Sequence, residues 1–116
     1  MHSPTPERSA DDRWVVTGTV RAQEGGRPLR GLVVRAYDKD KRKDDYLGRD
    51  VTNADGRYEI GFTAAAFRAL FERRPDVYVQ VYDDRGQQLV TTEDSVRWNA
   101  GKVEEIDVEV PEGRPE

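Results

Sequence analysis

The sequence predicts an all-β protein: a seven-stranded antiparallel Greek-key β-sandwich with one short α-helix inserted at about 64–74. Three observations lead there. Apolar residues recur with a period of two in short segments, turn residues separate those segments, and a single stretch shifts to helical spacing.

The first strand is read from Trp14, Val16, Gly18 and Val20, which alternate with Val15, Thr17, Thr19 and Arg21 and give one strongly apolar face. Gly25-Gly26, Pro28 and Gly31 turn the chain. Leu32 to Asp38 forms the second strand, with Leu32, Val34 and Ala36 on one side and Val33, Arg35 and Tyr37 on the other. The charged run Lys39 to Asp45 reads as a solvated loop. Tyr46 to Thr52 is a third strand, with Leu47 and Val51 directed inward.

Asn53-Ala54-Asp55-Gly56 supplies a tight turn, because Asp and Gly tolerate the positive φ of short hairpins. Arg57 to Thr63 then alternates cleanly, with Tyr58, Ile60 and Phe62 on one face. Ala64 to Arg74 places Phe67, Leu70 and Phe71 at helical spacing, with Thr63 as N-cap and Pro75 as the stop. Val77 to Asp83 is apolar on both faces and so belongs centrally in a sheet. Asp84-Arg85-Gly86 leads into Gln88 to Thr92. The irregular stretch Glu93 to Gly101 carries Trp98. Lys102 to Val110 ends the domain with Ile106, Val108 and Val110 inward; Val103 falls out of phase, which suggests a bulge near Glu104-Glu105.

At 116 residues the chain fits one domain with a thin two-layer core. Residues 1–12 and 111–116 contain little to bury and read as flexible tails flanking a domain at 13–110. The chain has no cysteine and one histidine, His2, so zinc sites built on those ligands, thiol catalysis and disulfides are excluded. No apolar run approaches the ~18 residues of a spanning helix, so no membrane insertion is expected. The N-terminal tail also lacks the apolar core of a signal peptide, which favours cytoplasmic synthesis. Nineteen basic against 23 acidic residues leave a net charge of −4, which argues against nucleic acid as a partner.

Three segments resemble the transthyretin-like (prealbumin-like) sandwich, and especially the carboxypeptidase regulatory-like domains. Val16-Thr17-Gly18-Thr19-Val20, followed by Arg27-Pro28-Leu29-Arg30-Gly31 and Leu32 to Asp38, is similar to the family's glycine-bearing strand, Pro-Leu-x-Gly turn and Val-x-Ala strand. Thr52 to Ile60 resembles its Thr-x-x-x-Gly-x-Tyr/Phe hairpin, and Pro75 to Asp83 its Pro-Asp-aliphatic-aromatic strand. The resemblance implies a sandwich from about Val16 to Val110 and a non-catalytic accessory or recognition module. Enzymes on similar sandwiches do not fit. Intradiol dioxygenases hold iron with two tyrosines and two histidines, and hydroxyisourate hydrolases carry active-site histidines and a Tyr-Arg-Gly-Ser tail. This chain has no histidine in its folded part, and its last residues read Val110-Pro111-Glu112-Gly113-Arg114-Pro115-Glu116.

No catalytic residue and no cofactor is nominated. Asp38, Asp40, Asp44 and Asp45 are weak calcium candidates, since calcium takes six to eight oxygens; Lys39, Lys41, Arg42 and Lys43 among them repel a cation. Arg35, Arg49, Arg57 and Lys102 would make a basic stripe, which neighbouring acids offset. Tyr37, Tyr78, Tyr82 and Trp98, with Phe67 and Phe71 of the helix, are the candidate partner-binding residues, because exposed aromatic side chains anchor protein or sugar partners. The expected function is a non-catalytic recognition or assembly module for a protein partner. The alternatives are a carbohydrate- or calcium-binding accessory domain and an unrecognised hydrolase.

Overall fold

A computed structural model describes residues 13–67 and 74–111, and two sheets pack face to face within it. The strands are β1 (Arg13–Ala22), β2 (Val33–Asp38), β3 (Asp45–Val51), β4 (Arg57–Thr63), β5 (Val77–Tyr82), β6 (Gln88–Thr91), β7 (Val103–Glu105) and β8 (Val108–Val110). One sheet runs β4-β1-β7 with β8 also beside β1, and the other runs β3-β2-β5-β6. The sandwich is therefore the expected one, with eight strands in place of seven and no plain Greek key. Nor is it wholly antiparallel: β1 pairs antiparallel with β4 but parallel with β7 and β8.

Alternation builds the core. Val16, Val20, Tyr58 and Ile60 of one sheet meet Val34, Ala36, Val79 and Val81 of the other, and all are buried. Burial of each such Val or Ile side chain stabilises by about 1.5–3 kcal/mol. At one end Trp14 stacks on Phe62 at 6.2 Å, and Phe67 meets Trp14 edge-on at 5.1 Å. Residues Ala64–Phe67 that place Phe67 there form a 3-10 turn, where an α-helix was expected. The rest of that expected helix up to residue 73, including Leu70 and Phe71, lies outside the described residues, as do 1–12 and 112–116.

The final strand departs from expectation in an instructive way. Val15 pairs with Val103 and Val20 with Val108, so the register is the same before and after the interruption and no bulge residue is inserted at Glu104-Glu105. The break falls at Ile106-Asp107. There the Ile106 carbonyl leaves the ladder to accept the Tyr58 hydroxyl at 2.7 Å. The Asp107 carboxylate takes its place, accepting the Thr19 N–H at 2.9 Å. Val103 is then simply an outward residue, 69% exposed.

β3 holds a second departure. Its register with β2 shifts between Ala36 and Tyr37, leaving Leu47 as an extra residue opposite. The extra residue inverts the phase downstream, so Leu47 is buried while Val51, expected inward, is 48% exposed. Asp50 sits at this corner and accepts the Glu59 N–H of β4 at 2.8 Å, tying one sheet to the other.

Candidate functional site

Because side chains alternate along a strand, the outer face of the β3-β2-β5-β6 sheet is set by Val33, Arg35 and Tyr37 of β2. Register then fills out three cross-strand rows: Val51, Val33, Tyr82; Arg49, Arg35, Gln80; and Tyr46, Tyr37, Tyr78. Two apolar and aromatic rows thus flank a central cationic one. No acidic side chain belongs to these rows.

Arg35 packs against a ring of the neighbouring strand. Its guanidinium carbon lies 4.7 Å from the Tyr82 ring centroid, within cation–π range. The nearby Tyr37 hydroxyl pushes its pKa up against the lowering effect of burial. Its Nε is buried with no acceptor among the described residues. Burial, and next the nearby Tyr37 hydroxyl, pushes the Tyr82 hydroxyl up, and that hydroxyl donates to Gln80 Oε1. Arg49 stands directly across the strand pair from Arg35, a like-charge pairing that costs stability when nothing bridges it.

The tyrosines divide. Tyr37 stacks on Tyr78 at 5.4 Å and leans on Tyr46 at 5.8 Å. Tyr46 is 51% exposed, and Tyr37 and Tyr82 are half-buried. Tyr78, a candidate contact residue by sequence, is only 3% exposed. Its hydroxyl donates to Asp44 at 2.5 Å, and the 39–45 loop folds over it. Burial and the Asp44 bond both push the Tyr78 hydroxyl well above its ordinary range. Tyr78 therefore anchors the loop and leaves the contact surface. Phe67, the other buried candidate, is spent in the core against Trp14 and Phe62. Trp98 is 63% exposed, but no described ring contact joins it to the tyrosine face. Phe71 lies outside the described residues.

Of the four calcium candidates, Asp38, Asp40 and Asp44 accept backbone hydrogen bonds. Asp38 is fully buried and its Oδ1 accepts the Asp76 N–H at 2.8 Å. Asp40 accepts the Arg42 N–H at 3.2 Å, and Asp44 accepts the Asp40 N–H at 2.9 Å. Asp45 opens β3 opposite Asp38. Burial raises the Asp44 pKa, but the bonds from Tyr78 and Asp40 and the nearby Lys39 ammonium outweigh it and hold the carboxyl below its usual value. Lys39 bridges to Glu93 at 2.6 Å. Among the described residues no three acidic or histidine side chains converge on one point. A groove of about 1050 Å³ opens beside this loop, bounded also by Ala66, Phe67 and Asp76.

The four-residue basic stripe does not assemble. Arg57 lies on the other sheet, bonded to Thr19 Oγ1 at 2.9 Å, and Lys102 sits 4.4 Å over the Trp14 ring. Arg35 and Arg49 alone come together, with Tyr46 as a neighbour that sequence reasoning did not nominate. Its signal was the step Tyr46 to Val51, legible only once the bulge at Leu47 is known.

No family model matches the sequence, and no curated protein matches it. Solved structures do match in shape. A 9R-lipoxygenase from Cyanothece PCC8801 superposes with TM-score 0.58 at 23% identity, over 88% of this chain and 17% of that one. Chlorocatechol 1,2-dioxygenase from Pseudomonas putida gives 0.52 at 17% identity, over 87% of this chain and 61% of that one. A DUF3823 family protein from Parabacteroides merdae gives 0.50 at 16% identity, over 85% and 46%. The chain thus spans less than two thirds of each of these structures, from 17% to 61%. The likenesses establish the β-sandwich; at these identities they carry no chemistry.

Proposed function

We propose that the chain is a non-catalytic recognition or assembly module of the transthyretin-like, carboxypeptidase regulatory-like kind, and that it binds a protein partner through the outer face of the β3-β2-β5-β6 sheet. The observation that carries this reading is the contiguous outward surface of Tyr46, Tyr37, Arg35, Arg49 and Tyr82 on a rigid sheet. Tyr and Arg are the residue types that dominate binding energy at protein interfaces, because they offer large, stiff contact area with a polar end. The lack of cysteine and the single histidine, His2, support a role without acid–base or nucleophilic chemistry. The likeness to a dioxygenase brings no iron chemistry with it, since the two-histidine ligand set of intradiol enzymes has no counterpart in 13–110.

Affinity capture from a cell lysate tests the reading. Wild-type chain should retain a partner that a folded Tyr46→Ser/Tyr82→Ser variant loses. Equal recovery by both would reject this face as the contact surface. The exposed Tyr46 ring favours carbohydrate as a second reading, and a glycan panel that raises the melting temperature of wild type but not of Tyr46→Ser would select it.

A further inference from the structure

We propose that the outer face of the β3-β2-β5-β6 sheet receives an extended acidic peptide segment of its protein partner, laid along the strands with one carboxylate between the paired arginines Arg35 and Arg49. The inference rests on the preceding reading of this face and adds the chemistry of what binds there.

Charge and spacing carry it. The chain is acidic overall, with 23 acidic residues against 19 basic, yet the three outward rows of this sheet contain two arginines and no acid. Arg35 and Arg49 face each other across an antiparallel pair, where like charges repel. Arg49 is exposed and has no ion-pair partner among the described residues. Arg35 packs its guanidinium against the Tyr82 ring, 4.7 Å from its centroid, which restrains it before a ligand arrives. A carboxylate placed between the two removes the repulsion and forms charge-assisted hydrogen bonds.

The flanking rows decide between a lone anion and a peptide. Along β2 the outward order is Val33, Arg35, Tyr37, with residues two apart separated by about 6.8 Å. An extended peptide repeats its same-side residues at that interval. A segment reading apolar, any, Glu or Asp, any, apolar or aromatic would meet the rows Val51–Val33–Tyr82, Arg49–Arg35 and Tyr46–Tyr37 in turn. A free phosphate or carboxylate would use only the middle row and leave the exposed Val51 and Tyr46 unengaged.

Fluorescence anisotropy of the full chain with a labelled peptide repeating Val-Ser-Glu-Ser-Tyr tests the proposal, with a lysine-for-glutamate twin as control. The expected result is saturable binding of the acidic peptide, weakened more than tenfold in Arg35→Gln/Arg49→Gln and by added sodium chloride, with no binding of the twin. Arg49→Gln alone, which removes no described contact, should weaken binding in the same direction and guards against misfolding of the double variant. Equal affinity of wild type and Arg49→Gln, equal binding of the twin, or no saturable binding by wild type would each overturn it. A dimer in light scattering that the double variant loses would also overturn it, by giving the face to a second copy. Lysate capture separates the two readings: a partner lost by Tyr46→Ser/Tyr82→Ser but kept by Arg35→Gln/Arg49→Gln leaves the face standing and removes the acidic segment.

Discussion

Gly18 shows how far a single residue type can decide a fold. A Cβ added there would lie 2.0 Å from the Ile106 carbonyl oxygen, which is backbone and cannot step aside. That close approach lets the Ile106 carbonyl reach the Tyr58 hydroxyl, a buried bond worth about 0.5–1.5 kcal/mol. Gly18→Ala should therefore cost about 3 kcal/mol or more by forcing the last strand away. Gly86→Ala meets no atom within 4 Å and bears only its positive φ, so it should cost about 1–2 kcal/mol. Urea denaturation of the two variants compares them; equal losses would contradict the close approach. Asp44 offers a pH test at the same scale. Its folded pKa lies below the unfolded value of about 3.9, so its contribution is complete above that value and fades as pH falls through the folded one. Asp44→Asn should therefore lose stability at neutral pH and show a shallower decline on acidification. Melting temperatures of wild type and variant that fall in parallel with pH would contradict this.

Single elements show where a pattern read from sequence holds and where it stops. Period-two alternation located the strands, and the Asn53–Gly56 turn was legible because Gly56 sits at φ +75° with Val20 O within 2.6 Å of its missing Cβ. The phase of β3 was not legible: the extra residue at Leu47 is a choice of pairing with β2, and nothing local in Tyr46 to Thr52 announces it. The parallel pairing of the last strand is likewise a tertiary choice, since alternation says which face is buried and not which neighbour bonds. Ala64–Phe67 carries helix-forming residues but makes a 3-10 turn, as Phe67 is drawn onto Trp14 and Phe62. For β7 and β8, Asp107 is the element's key. Asp107→Ala leaves the Thr19 N–H without its acceptor and should cost about 1–3 kcal/mol, whereas Asp107→Asn keeps an acceptor oxygen and should cost less. Thermal denaturation ranks the two, and a reversed order would remove Asp107 from this role.

At the scale of the whole molecule, the two sheets have separate tasks. Their inner faces hold the core, while the outer face of β3-β2-β5-β6 gathers aromatic and cationic side chains. The aromatic character of this face was readable from Tyr37 and Tyr82. Its centre was not, because Arg35 and Arg49 lie 14 residues apart in sequence and meet only through strand register. Nor did the sequence disclose that Tyr78 would be roofed by Asp44, a contact between residues 34 apart. Arg49→Gln should leave the melting temperature within a few degrees of wild type or raise it slightly, because it relieves a like-charge pair. Amide chemical-shift mapping with the Val-Ser-Glu-Ser-Tyr peptide tests the account as a whole. Shifts should concentrate on Val33–Tyr37, Tyr46–Val51 and Gln80–Tyr82; shifts centred on Trp98 and Val103, or spread evenly over both sheets, would contradict it.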